Sequence, residues 1–261
     1  METLSERPED PSGMPTLHLQ VCAGFANRVR ALVSGICLAE DLQMSLIVHW
    51  FPMSPECACR FQSVLDPESL PKTVKITPED TYMAQEVLTR DDWDVYYNKW
   101  DTKSDIYIKS YGIFYTNARW NDHLRNLRPS SLVKQYGTRR CASVPWERAI
   151  GIHIRRGDNK KSIEGSPLSA FRQKMRKDLN SFFVVCTDDA STKEALMVEF
   201  GDRCVFPATV LSRKTEEGMI HGVADFFALT KCTQIWGSVH SSFTEMAARY
   251  GNIPFDLLTD N

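Results

Sequence analysis

The sequence predicts an α/β protein made of two parallel-sheet halves that face each other across a cleft. Three observations carry this. Short, nearly continuous apolar runs alternate with amphipathic stretches along the chain. The runs are rich in Val, Ile and Leu, as expected of strands buried on both faces. The alternation is clear at both ends of the chain and blurred in between, which points to two units. The boundary is expected near residue 145, in the CASVPWER stretch, giving 16–145 and 146–261 after a loose tail of residues 1–15.

The first half opens with a strand over Leu17–Cys22. Asn27–Leu42 follows with Val29, Leu32, Val33, Ile36 and Leu38 at a roughly helical period, and SLIVHW (45–50) is a second strand. This βαβ unit favours a parallel sheet. Thr73–Ile76 and Asp105–Tyr111 are further strands. A helix is expected from Asn117 to Arg128, interrupted by Pro129. The WDVYYNKW segment (93–100) mixes aromatic and polar residues; it could line an acceptor groove or cover a loop as a half-buried cluster.

In the second half, AIGIHIR (149–155) is a strand and Leu168–Leu179 a helix. SFFVVCT (181–187) and Ser191–Phe200 repeat that pair. Cys204–Phe206, Glu216–Thr230, Thr233–Trp236 and Ser241–Tyr250 complete it as strand, helix, strand and helix, with Gly251 as a possible cap.

The composition excludes several functions. With 31 Lys+Arg against 33 Asp+Glu the net charge is −2, so a nucleic-acid-binding polycation is not expected. No run of about 18 apolar residues suggests a membrane span. The polar, acidic METLSERPEDPSGMP start lacks the features of a signal peptide, so a cytoplasmic protein with reduced thiols is expected. Cys57-Ala58-Cys59 has no second pair at zinc spacing, and Asp92-Trp93-Asp94 is the one DxD spelling; no metal is expected. There is no HExxH and no GxSxG.

The charge is nevertheless uneven. Residues 148–180 carry nine basic side chains against three acidic ones. His153, Arg155, Arg156 and Asp158 lie where a strand meets its following loop, the place where open α/β sheets bind ligands. A guanidinium pair there suits a phosphate. Two strand-to-helix turns, Gly24–Arg28 and Gly237–Ser242, would each offer a helix N-terminus to an anion; Asn27, Ser241 and Ser242 read equally as helix N-caps. The Ser238 hydroxyl would join the second turn. On these residues alone, an enzyme using a nucleotide-linked substrate and a nucleotide- or glycan-binding module without turnover both fit.

Three segments together resemble the fucosyltransferase superfamily, notably its nodulation-type and α1,6-fucosyltransferases. They are GFANRVRALVSGICLAEDL (24–42), IGIHIRRGD (150–158) with an H-x-R-R-x-D pattern, and VCTDD (185–189) followed by ADFFALTKCTQIWGSVHSSFTEMAARYG (224–251). The resemblance implies a GT-B fold, two Rossmann-like domains with the active site between them. It also implies inverting, metal-independent transfer of a sugar, usually from GDP-fucose, to a glycan hydroxyl. Arg155 would then bind the donor β-phosphate, with Arg156 beside it. His153 and Asp225 would contact the base and ribose, and Ser241 and Ser242 would add phosphate contacts. Asn27 and Arg28 would reach in from the first domain. Asp188 would end a strand beside the donor, or cap the next helix with Asp189. Glu164 is the candidate general base, with Asp158 as the alternative. Short, unanchored relatives occur in bacteria and large viruses, where xylose or rhamnose donors are also open.

Overall fold

The computed structural model describes residues 15–79, 102–210 and 212–260. The tail before residue 15, the WDVYYNKW segment and Asp92-Trp93-Asp94 lie outside them.

Two all-parallel sheets organise the chain. The first contains β1 (Thr16–Val21), β2 (Ser45–His49), β3 (Val74–Thr77) and β4 (Ile106–Ser110), in the order β3-β2-β1-β4. The second contains β5 (Ala149–Ile154), β6 (Phe182–Thr187), β7 (Cys204–Val205), β8 (Gln234–Ser238) and β9 (Phe255–Leu258), in the order β7-β6-β5-β8-β9. All six residues of β5 are buried, as a central parallel strand covered on both faces requires.

Helix α1 (Phe25–Asp41) crosses from β1 to β2. It has no side-chain N-cap bond and is held by burial, with Phe25, Ala26 and almost every residue from Arg28 to Ala39 inside. Its cap is Gly24, so Asn27 is not a cap but a residue of the first turn. The short α2 (Phe61–Val64) precedes β3. The helix expected up to Arg128 is shorter, α3 (Trp120–Asn126), and a second helix follows the proline break: α4 (Ser131–Arg140), capped by Ser130 Oγ accepting from the Val133 N–H at 3.2 Å.

In the second half α5 (Lys160–Gly165), α6 (Leu168–Lys177), α7 (Ala190–Phe200), α8 (Glu216–Leu229) and α9 (Ser242–Gly251) surround the sheet. Asp189, not Asp188, caps α7, accepting from the Thr192 N–H at 2.7 Å. Gly251 is the last helical residue of α9, and Asn252 ends the helix in the left-handed region at φ 52. Strand β9 is an addition to the predicted set.

One core cluster runs through both sheets, and a second, around Ile152, Phe171 and Phe183, packs within the second half. Buried side chains of the first sheet and α1 run on into Val184, Cys186, Val223, Phe226 and Met246. Phe25 and Phe226 meet edge to face at 5.4 Å. Helix α9 packs against α1 and α3, and α4 against α8, so each half supplies helices that cover the other. The Tyr250 hydroxyl donates to the Leu127 carbonyl at 2.7 Å, fastening the end of α9 to the first half.

Candidate active site

A cleft of about 240 Å³ opens at the carboxyl ends of β1, β5, β6 and β8. Both central strands deliver their following turns to it, as the strand order demands. From the first half come Gly24, Phe25 and Asn27. The second half contributes His153, Arg155, Asp188, Arg213, Asp225, Ser241 and Ser242.

The two turns into α1 and α9 are built alike. Each holds a non-glycine residue in the left-handed region, Ala23 at φ 63 and His240 at φ 56. Each then starts a helix whose first backbone N–H groups face the cleft end. Asn27 Oδ1 accepts from the Ser242 hydroxyl at 2.8 Å, tying the two helix starts together. Ser241 occupies the N-cap position of α9 without a side-chain cap bond.

Arg155 stands just past β5, its side chain 15% exposed. It forms ion pairs with Asp158 and Asp188. Its backbone N–H donates to Ser238 Oγ at 3.0 Å. Gly157, at φ 43, makes the bend after it; a Cβ there would come within 2.8 Å of Asp188 Oδ2. Asp158 also accepts from Arg213 Nη2 at 2.9 Å. Burial works to raise the Asp158 pKa, but the Arg213 hydrogen bond and the charges of Arg155 and Arg213 outweigh it and hold the carboxyl below its ordinary range.

His153 is buried and stacks on Phe243 at 4.8 Å, with Nδ1 2.8 Å from Thr244 Oγ1. Burial, then the charge of Arg155, drives its pKa down to about 3, so the ring is neutral. Asp225 is buried on α8, and its Oδ1 has no hydrogen-bond partner. Burial raises its pKa to about 8, against a weaker backbone hydrogen bond from Ala208. An unpaired oxygen on a buried carboxyl facing a cleft is costly unless a ligand group pairs with it.

Other residues named from the sequence stand elsewhere. Arg28 is 1% exposed and does not line the cleft. Its Nε donates to the Ala23 carbonyl at 3.0 Å and its Nη1 to the Phe51 carbonyl at 2.9 Å, and the guanidinium lies over Trp50. It thereby braces the strained turn at Ala23. Arg156 is turned inward, Nη1 donating to the carbonyls of Arg155 and Ser166, while its N–H binds Asp188 Oδ1 at 2.7 Å. Ser238 is wholly buried and supports Arg155 from behind. Glu164 is exposed on α5, outside the cleft lining. Arg213 was not anticipated: in LSRKTEEG it looks like one more solvated charge.

Among the described residues no group of three or more His, Cys, Asp or Glu could hold a metal ion, and no helix is long and apolar enough to cross a membrane. Cys57 and Cys59 are buried with their sulfurs 3.8 Å apart.

No protein-family model matches the chain, and no curated protein matches it. Solved structures do share its fold. NodZ α-1,6-fucosyltransferase soaked with GDP-fucose is 15% identical, with a TM-score of 0.67 over 91% of this chain and 92% of that one. A mutant of Arabidopsis thaliana FUT1 in complex with GDP is 13% identical, with a TM-score of 0.59 over 92% of this chain and 69% of that one. POFUT1 in complex with GDP is 11% identical, with a TM-score of 0.59 over 95% and 98%. The chain has the GT-B fold of the fucosyltransferases.

Proposed function

We propose that the chain is a glycosyltransferase that moves a sugar, L-fucose from GDP-fucose, onto a glycan hydroxyl with inversion and without a divalent metal. The carrying observation is that one cleft joins a buried carboxyl with a free oxygen, Asp225, to a guanidinium, Arg155, and the N-terminus of α9. The shared fold with structures that hold GDP and GDP-fucose supports the same reading.

Each part has a chemical task. Guanine offers adjacent N–H donors on its Watson–Crick edge, which suit a carboxyl acceptor; uracil and thymine offer one N–H between two carbonyls. Asp225, giving up its proton as the nucleotide binds, would accept from both and so favours a guanine nucleotide, with the neutral His153 beside it. As the sugar leaves, negative charge gathers on the β-phosphate. Arg155 and the α9 helix start, with Ser241 and Ser242, supply the compensating positive charge that a metal ion would otherwise bring. Asn27 keeps the α9 start in place through Ser242. Asp188 aims Arg155. The acceptor hydroxyl needs a base. Asp158 is a poor one, because two guanidinium groups stabilise its ionised form. Glu164, exposed and five residues beyond the cleft residue Asn159, takes that role.

Thermal-shift and transfer assays with GDP, UDP, dTDP and their sugars, with and without EDTA, test this. GDP and GDP-fucose should stabilise the wild type most, EDTA should change nothing, Arg155→Ala should lose both binding and transfer, and Glu164→Gln should bind donor but turn over poorly. Preference for UDP or dTDP would point to another donor sugar. Binding without transfer or donor hydrolysis would leave a nucleotide-binding module and refute the enzyme.

A further inference from the structure

Arg155 is not alone in the cleft. We propose that Arg213 is a second cation for the donor diphosphate, positioned by Asp158, and that it lets the site prefer a nucleoside diphosphate to a monophosphate. This rests on the nucleotide-sugar reading above and deepens it.

The geometry is specific. Arg213 lies in the loop before α8 and lines the cleft, its side chain 38% exposed. Its Nη2 donates to Asp158 Oδ1 at 2.9 Å, and Arg155 Nη2 donates to that same oxygen. Two guanidinium groups thus converge on one carboxylate oxygen. Like charges gather this closely only around an anion. Within the cleft the anions are Asp158 and Asp188, which pair with the two cations.

The Arg213 side chain also reaches the opposite wall. Its Nη1 stands 3.9 Å from where a Cβ on Gly24 would be, at the start of α1. The loop that carries it is anchored there, since the Arg213 carbonyl accepts from the Ala58 N–H at 3.0 Å. Arg155 rises from the floor of the second half, the α9 start closes one side, and Arg213 faces them from the seam between the halves. A diphosphate has more charge and more oxygens than one guanidinium can engage, while a monophosphate lacks the outer phosphate that a second would hold.

Isothermal titration of the full chain with GDP and with GMP tests the proposal on wild type, Arg213→Ala, Arg213→Lys and Asp158→Asn. Arg213→Ala should weaken GDP by about 10- to 100-fold and leave GMP within about twofold, as the loss of a charge-assisted contact to the outer phosphate predicts. Arg213→Lys should recover part of the GDP preference, and Asp158→Asn should lose part of it by releasing the guanidinium from its anchor. A merely structural role would weaken both nucleotides alike. A wild type that prefers GDP, with that preference unchanged in Arg213→Ala, overturns the role of Arg213 alone. A wild type that binds neither nucleotide overturns the donor reading itself.

Discussion

Replacing Asp225 by Asn should change how the stability of the protein depends on pH. The carboxyl is 5% exposed, and burial lifts its pKa from 3.8 to about 8. Between these values the folded chain holds one proton that the unfolded chain has released. Stability from this group is therefore greatest at low pH and is lost as pH rises, by about 1.4 kcal/mol per pH unit, until the slope ends above about pH 8. From about pH 5 to pH 9 the loss sums to about 4 kcal/mol. His153 acts in the opposite sense. It is neutral in the fold with a pKa lowered from 6.5 to about 3, so its contribution is full above 6.5 and is lost as pH falls. Where the two ranges overlap, the slopes cancel, and the wild type should be nearly level there before declining toward pH 8. In Asp225→Asn the slopes of His153 and His221, whose pKa values are both lowered by burial, remain: stability should rise to about pH 6.5 and then stay level. Urea unfolding followed by tryptophan fluorescence, at constant ionic strength across that range, measures both curves. Wild-type and variant curves that stay parallel would refute the reasoning.

Two further substitutions probe the frame of the cleft. Gly237→Ala would place a Cβ 2.2 Å from Thr244 Oγ1 and 2.7 Å from Thr244 Cβ; Thr244 is fully buried and cannot yield, so β8 and α9 must part at a cost of about 1–3 kcal/mol. An unchanged urea midpoint would contradict this contact. Arg28→Leu should cost about 3 kcal/mol by leaving the Ala23 and Phe51 carbonyls unpaired in the interior; Lys should restore little, since an ammonium lacks the fork that spans both. Equal stabilities of the Leu, Lys and wild-type proteins would show that Arg28 braces nothing.

The sequence exposed the fold wherever burial writes a pattern. The apolar strands beside β5 and the long buried face of α1 follow from the periodicities of their residues. Strand β9 escaped because three of its four residues are exposed, so it carries no such pattern. The helix ends shifted where backbone geometry, not side-chain type, decides: Gly24 caps α1 without a side-chain bond, and Asn252 rather than Gly251 turns left-handed. Arg155, Asp188, Asp225, Ser241 and Ser242 line the cleft because strand ends and helix starts converge there. Arg28 and Arg156 were charges of the expected type in the expected segments, but their side chains turn to backbone carbonyls. Which way an arginine points after a strand depends on acceptors far along the chain, such as Ser166 for Arg156 and Phe51 for Arg28, and local pattern carries no trace of them.

The mooring of α9 has a consequence for folding. This helix follows the fourth strand of the second sheet, yet its flank rests on α1 and α3 and its end is held by Leu127 and Arg125. A helix of the second half therefore completes the packing of the first. Removing it would uncover the flank of α1 on which it rests, although β1, β2 and α3 would still pack against α1. Such long-range closure favours slow, cooperative assembly in a single transition, with the two sheets gaining their stability together. Limited proteolysis between the halves should accordingly yield no fragment that survives alone.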